Sequence, residues 1–130
     1  MSDDVTRISD PVTVPSPLRV LVTAAATASW YDTVDEATRD RVAERWGEVI
    51  RGWLSRPGVR ILTTFDDDLL LAGDPRPFGR WSIFILLEVP ALEDAVAIVD
   101  AARQGDPRLH RYFTLSATLG RGFWPAGEHA

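Results

Sequence analysis

The apolar residues of this chain change their spacing several times, and the order of those changes limits the folds available to it. Runs of β-branched or alternating apolar residues predict strands, and apolar residues three and four positions apart predict helices. Strands are predicted at residues 18–27, 59–65, 80–89 and 113–120, and helices begin at Thr33 and near Pro90. The predicted order of elements is therefore β-α-β-β-α-β.

Both predicted helices have recognisable ends and one apolar face. Thr33 and Glu36 form a capping box at the start of the first helix, and Pro57-Gly58 ends it. Its apolar face consists of Val42, Trp46, Val49, Ile50 and Trp53. The apolar face of the second helix consists of Leu92, Ala95, Val96 and Val99, and that helix ends at Gly105.

This order of elements predicts an α+β, ferredoxin-like fold, in which a four-stranded antiparallel sheet carries two helices on one face. The strand at residues 80–89 contains five consecutive apolar residues, which predicts an interior position buried on both sides. Poor β-formers at residues 66–68 predict a bulge or bend before the strand resumes at 69–72. The sheet face without helices is too apolar to face water, so we expect two copies to pair their sheets as a dimeric α+β barrel.

The ends of the chain differ in composition from its centre. Residues 1–17 are acidic and rich in proline, without the apolar core of a secretory signal, and we expect a flexible N-terminal arm. The domain is expected at residues 18–124, and residues 125–130 form a flexible tail. No apolar run reaches the roughly 20 residues of a membrane-spanning helix. These observations predict a cytoplasmic protein without a membrane partner.

Charge and missing residue types exclude several kinds of chemistry. The net charge of −5, from 14 basic and 19 acidic residues, disfavours a nucleic-acid partner. The chain has no cysteine and no lysine, which excludes disulfides, thiolate metal sites, a cysteine nucleophile and Schiff-base chemistry. The chemistry that remains belongs to histidine, carboxylates, arginine, tyrosine and tryptophan, and we predict no cofactor and no metal.

Three residues are candidate catalytic groups. His110 precedes the last strand and is the one histidine of the predicted domain, so it is the natural proton shuttle near neutral pH. The alternatives are a solvated loop histidine or an axial haem ligand. Asp66 and Asp68 belong to an Asp-Asp-Asp run in which a desolvated carboxylate would act as a base. A solvated turn and a divalent-metal site are the alternatives for this run.

Aromatic residues are candidates for the wall of a binding pocket. Trp46 and Trp53 lie on the apolar helix face and are expected in the core. The other candidates for contact with a flat substrate are Trp30, Tyr31, Phe65, Trp81, Tyr112 and Trp124. Ordinary core or interface packing is the alternative for each of them. Arg60 and Arg80 border strands and could hold a substrate oxyanion, or could pair with surface carboxylates.

Several short motifs resemble one branch of the dimeric α+β barrel superfamily. The chain is similar to the darcynin-like family in Thr27-Ala28-Ser29-Trp30, Asp35-Glu36, Pro57-Gly58-Val59-Arg60, Phe65-Asp66 and Arg111-Tyr112-Phe113. Gly105-Asp106-Pro107 is similar to the YCII-like branch, but the His and Asp of that branch near strand one are not evident. The resemblance implies the fold and a homodimer, and it implies no activity for the darcynin-like family. Superfamily relatives include cofactor-free monooxygenases, lactone isomerases, cyclases and haem-degrading enzymes.

These expectations combine into one functional hypothesis. We predict a small cofactor-independent enzyme, an isomerase, cyclase or monooxygenase, that acts on an aromatic or polyketide-like molecule between sheet and helices. The alternative is a non-catalytic ligand-binding or accessory protein of the same fold. A third possibility is an interaction module whose pocket is filled by its own tryptophan side chains.

Overall fold

The computed structural model describes residues 17–32, 35–67 and 81–120. The strands are β1 (Leu18–Ala26), β2 (Arg60–Asp66), β3 (Ser82–Val89) and β4 (Phe113–Gly120). The helices are α1 (Ala28–Asp32), α2 (Glu36–Leu54) and α3 (Leu92–Ala102), and a 3₁₀ turn covers Leu109–Arg111. The predicted strand at 69–72 and the two predicted flexible ends lie outside the described residues, apart from Pro17. No helix in the described ranges is long and apolar enough to cross a membrane.

The four strands form one antiparallel sheet in the order β2-β3-β1-β4. β1 and β3 are the interior strands, so the predicted interior position is confirmed for residues 82–89. Val22 of β1 lies opposite Ile85 of β3 and Ala117 of β4. This sheet order and the order of elements confirm the ferredoxin-like α+β fold. The short helix α1 is an addition to the prediction, because the Thr27 carbonyl accepts hydrogen bonds from Trp30 N and Tyr31 N and turns the chain directly after β1.

One face of the sheet packs against α2 and α3. Val20, Val22, Ile85 and Leu87 point to this side and are buried. Trp53 of α2 is 1% exposed, and its Nε1 donates a hydrogen bond of 3.0 Å to the Ile98 carbonyl of α3. This bond joins the two helices above the sheet while satisfying the only polar atom of the indole. The predicted core position of both Trp46 and Trp53 is confirmed.

The second face of the sheet carries no helix within the described ranges; we call it the open face. It alternates in register with the buried face, so it presents Leu21 of β1 beside Leu86 of β3. Phe65 of β2 is 58% exposed and stacks on Phe84 of β3 with ring centroids 4.8 Å apart. The centre of β3 is thus buried on one face and only partly covered on the other.

The start of α2 differs from the prediction. The N-cap is Asp35 rather than Thr33, which lies outside the described residues. Asp35 Oδ1 accepts from Ala37 N at 3.1 Å, and its Oδ2 accepts from the Thr38 hydroxyl at 2.8 Å. These hydrogen bonds stabilise the charged carboxylate and lower the pKa of Asp35, and the bond from Thr38 has the largest effect. The capping box was wrong because Thr33 and Asp35 both suit an N-cap, and an aspartate satisfies both donors there.

The buried face of α3 also differs from the prediction. Leu92 and Val96 are 49% and 56% exposed, whereas Ala95, Ile98 and Ala102 are buried. α3 is apolar around most of its circumference, so spacing alone does not select a face. The face is selected by contacts with α2 and with the chain after it. Asp94 is buried and binds Arg56, with Oδ1 to Nη2 at 2.8 Å and to Nε at 2.9 Å, and Ile98 accepts the Trp53 bond.

Arg45 of α2 closes the carboxyl end of α3. Its Nη2 donates to the Gln104 carbonyl at 2.7 Å and lies 3.5 Å from the Ala101 carbonyl. The guanidinium packs over Gly105, whose φ is +85°. A Cβ at Gly105 would lie 2.4 Å from Arg45 Cζ and Nη2. Glycine is required there by both the backbone conformation and the close approach of Arg45.

We expect Gly105→Ala to lower the free energy of unfolding by about 1–2 kcal/mol, because it strains a left-handed residue and displaces Arg45. Gly52→Ala is the matched control, since a Cβ at Gly52 of α2 meets no atom within 4 Å. That substitution should instead stabilise by about 0.5–1 kcal/mol through helix propensity. Urea unfolding measures the change in free energy of unfolding for each variant, and equal changes would contradict the role of Gly105.

Candidate functional site

An aromatic cluster lies at the end of the sheet where β1 finishes and β4 begins. Phe113 is at its centre, with ring centroids 5.4 Å from Trp30, 5.7 Å from Trp46 and 6.1 Å from Trp81. Tyr112 meets Trp30 edge-on at 6.5 Å. We call these five residues the aromatic cluster. Trp30 and Trp81 are only partly buried, so the cluster reaches the surface at this end of the sheet.

Backbone hydrogen bonds bring these aromatic residues together from three parts of the chain. Ala26 N donates to the Trp81 carbonyl at 2.8 Å, and Thr27 N donates to the Tyr112 carbonyl at 2.9 Å. Ala26 lies opposite Phe113 in the β1–β4 ladder. The small side chains of Ala24 and Ala26, both buried, leave the space that the larger rings occupy.

Trp46 contributes an unusual polar group to the cluster. Its Nε1 is buried and has no hydrogen-bond partner among the described residues. A buried donor without a partner costs about 1–3 kcal/mol. The cluster is therefore well packed around Phe113 but leaves one donor unsatisfied.

Asp66 lies beside this cluster at the end of β2. Trp81 Nε1 donates a hydrogen bond to Asp66 Oδ2 at 3.2 Å. The next residue, Asp67, accepts from Ser82 N at 2.9 Å and so ties the end of β2 to the start of β3. Trp81 N donates to the Tyr31 hydroxyl at 3.2 Å. The structure thus joins the predicted site residues Tyr31, Asp66 and Trp81 through hydrogen bonds.

A groove of about 450 Å³ runs along the β2 side of the sheet; we call it the β2 groove. It is lined by Ile50, Thr64, Phe65, Asp66, Ile83, Phe84 and Ile85. Among the described residues of this lining, Asp66 is the one with an ionisable side chain, and the others are apolar apart from Thr64. An apolar groove with a single carboxylate suits a flat apolar molecule that carries a hydrogen-bond donor or a positive charge.

His110 lies in a different place from Asp66. It is exposed on the 3₁₀ turn and lines a pocket of about 680 Å³ formed within residues 105–112, whose lining does not include Asp66. The structure therefore does not bring the predicted proton-exchanging residues Asp66 and His110 into one pocket. Tyr112 lines the His110 pocket and also touches Trp30 of the aromatic cluster. Asp68, Arg80 and Trp124 lie outside the described residues.

Arg60 is at the opposite end of β2 from Asp66. In the β2–β3 ladder Arg60 lies opposite Glu88, and Asp66 lies opposite Ile83. Arg60 Nε donates to Glu88 Oε2 at 2.6 Å, and Arg19 Nη1 lies 3.7 Å from Glu88 Oε1. The structure places Arg60 in this ion pair of the open face, away from the β2 groove. The alternative use that sequence analysis left open for Arg60, pairing with a carboxylate, is the one the geometry shows.

The Arg60 hydrogen bond lowers the pKa of Glu88, and Glu88 in turn raises the pKa of Arg60. A carboxylate whose pKa is lowered by folding adds stability above its unfolded pKa, and that stability is lost as the pH falls through the folded pKa. We expect Glu88→Gln to lower stability near neutral pH and to flatten the loss between about pH 5 and pH 3. Urea unfolding midpoints measured between these pH values test this expectation. If the stability of Glu88→Gln and that of the parent fall equally with pH, the contribution of Glu88 is refuted.

The described residues contain no group of three or more His, Asp or Glu side chains placed to hold a metal ion. The sequence did not single out Phe113 as the centre of the aromatic cluster, nor Ile50, Ile83 and Ile85 as groove residues. Alternation along the last strand put Phe113 among the apolar positions, and this was the only available signal. The Trp81–Asp66 bond joins residues that only the β2–β3 register brings close.

Comparisons with known proteins give no family for this chain. No family model matches it, and no curated protein matches it. A solved structure titled "De novo designed protein Ferredog-Diesel" is similar over 93% of this chain and 100% of its own, with 11% identity and a TM-score of 0.42. The class of this protein, ferredoxin-like α+β, rests on its own sheet order. The resemblance to the darcynin-like family stays a prediction.

Proposed function

We propose that this protein binds a small aromatic molecule in the β2 groove, with the ligand's hydrogen-bond donor on Asp66. The observation that carries the proposal is the single carboxylate of Asp66 in an otherwise mainly apolar lining. The bond from Trp81 Nε1 orients this carboxylate before a ligand arrives. The exposed Phe65 ring, stacked on Phe84, extends the apolar surface beside it. In this proposal the protein acts in the cytoplasm.

We expect 2-naphthol to bind more tightly than 2-methoxynaphthalene by about tenfold, because only the naphthol hydroxyl donates a hydrogen bond to Asp66. Asp66→Asn should remove most of this preference, since a neutral amide accepts a weaker bond. Asp40→Asn, an exposed aspartate of α2, is the charge-matched control. Tryptophan fluorescence follows the titrations because Trp81 touches Asp66. Equal affinities for the two probes in the parent protein would refute the proposal.

A second candidate function is a cofactor-independent isomerase with one base. The observation that favours it is the same Trp81–Asp66 bond, which fixes a carboxylate beside an apolar groove. In such a reaction Asp66 takes a proton from one carbon of the substrate and returns it to another, so no second titratable group is needed. This candidate does not require His110, which lines another pocket.

Exchange of the α-protons of 2-tetralone in D₂O, followed by NMR, separates binding from catalysis. A base in the groove accelerates the exchange, and Asp66→Asn abolishes the acceleration. Binding of 2-naphthol together with uncatalysed exchange supports the binding protein and rejects the isomerase.

We also propose that two copies pair through their open faces. Four strands about 4.8 Å apart and about eight residues long cover on the order of 500 Å² in each copy. The total of about 1,000 Å² is at the lower limit for a specific interface. Leu21 and Leu86 supply its apolar centre, and Arg19, Glu88 and Arg60 supply paired charges at one end.

We expect Leu86→Arg to convert the dimer into a monomer in sedimentation experiments, because it places a charge in the centre of the paired faces. Leu54→Arg is the control, since Leu54 is 44% exposed on α2, on the other side of the sheet. A parent protein that sediments as a monomer at micromolar concentration would overturn this pairing.

A further inference from the structure

The pocket within residues 105–112 is basic although the whole chain is acidic; we call it the basic pocket. Its volume is about 680 Å³, and Arg108, His110 and Arg111 contribute to its lining. Among the described lining residues the one carboxylate is Asp106, whose Oδ2 lies 3.9 Å from Arg41 Nη2. The lining that the structure describes therefore holds two arginines and one carboxylate, in a chain whose net charge is −5.

The backbone of the basic pocket is held in place by one buried side chain and three hydrogen bonds. Leu109 is fully buried, and Tyr112 N donates to the Leu109 carbonyl at 3.0 Å. The Thr27 hydroxyl donates to the Arg111 carbonyl at 3.1 Å, and Arg41 Nη2 donates to the Asp106 carbonyl at 3.3 Å. Because these contacts hold the backbone, the side chains of Arg108, His110 and Arg111 extend from backbone atoms in fixed positions.

Arg108 and Arg111 of this pocket form no ion pair with the residues that the structure describes. The carbonyls at the end of α3 already accept hydrogen bonds from Arg45. Arg108 makes no ion pair or side-chain hydrogen bond with the residues that the structure describes. Arg111 places its guanidinium 5.7 Å above the Tyr112 ring, which restricts its position without neutralising it. Two arginines beside a concave surface, neither neutralised by a carboxylate, are the arrangement that binds oxyanions with two charges.

We propose that the basic pocket binds the phosphate group of a small molecule through Arg108 and Arg111, with His110 beside them. A dianion restores the charge balance that Asp106 alone does not provide. The planar guanidinium groups match the oxygens of a phosphate by paired hydrogen bonds. The site shares no lining residue with the β2 groove, so it does not depend on the function proposed there.

Inorganic phosphate at about pH 8, where it is mostly a dianion, is the probe, titrated against the full chain at constant ionic strength. NMR amide shifts should be saturable and centred on residues 105–112. Arg108→Gln should weaken the affinity by about tenfold, and Arg108→Lys should weaken it too because the ammonium lacks the planar fork. Arg51→Gln, an exposed arginine of α2, makes the same change in net charge and should leave the affinity unchanged.

Other outcomes decide against the site. Equal losses for Arg108→Gln and Arg51→Gln would show that phosphate responds only to net charge, and would overturn the proposal. Shifts spread over the surface, or an affinity for acetate equal to that for phosphate, would overturn it as well. The shift map uses the parent protein, so the test stands even if the Arg108→Gln variant folds poorly.

Discussion

Strand β1 is hydrogen-bonded on both of its edges, and this pairing holds the sheet together. β1 hydrogen-bonds to β3 along one edge and to β4 along the other, so the β2–β3 pair joins β4 only through it. Its partners are distant in sequence: Leu18 lies opposite Val89, and Ala26 lies opposite Phe113. Such long-range pairing loses conformational entropy because long loops must close, and local contacts do not offset that loss. Burial of the helices against the sheet must therefore stabilise the pairing.

The same pairing locates both candidate sites. Where β1 ends, its small residues admit the rings of the aromatic cluster, and Thr27 anchors the carbonyls of Arg111 and Tyr112. The β2 groove lies on one side of this end and the basic pocket on the other. The β2 groove contains the carboxylate of Asp66, and the basic pocket contains the guanidinium groups of Arg108 and Arg111. The two linings carry ionisable groups of opposite sign although they lie at the same end of the sheet.

The outcomes at particular residues show how far sequence reasoning reached. Val42, Trp46 and Trp53 were predicted in the core because their spacing leaves a single choice of face on a helix that is otherwise charged. Leu92 and Val96 were misplaced because α3 is apolar on most sides, and the Asp94–Arg56 pair and the Trp53–Ile98 bond decide its rotation. Tyr31, Asp66 and Trp81 were named as site residues, and the structure joins them. Arg60 was named with them but lies at the far end of β2.

The sequence was enough to predict the four strands, the two longer helices, the interior position of β3 and the ferredoxin-like class, because periodicity and turn residues act over a few positions at a time. It also determined which chemistry is absent, since a chain without cysteine or lysine offers no thiolate and no amine on its side chains. The three-dimensional fold was needed to show that Asp66 meets Trp81, that His110 lines a separate basic pocket, and that Arg60 binds Glu88. Those contacts are set by strand register and by the close packing of distant segments, and neither can be predicted from residue spacing along the chain.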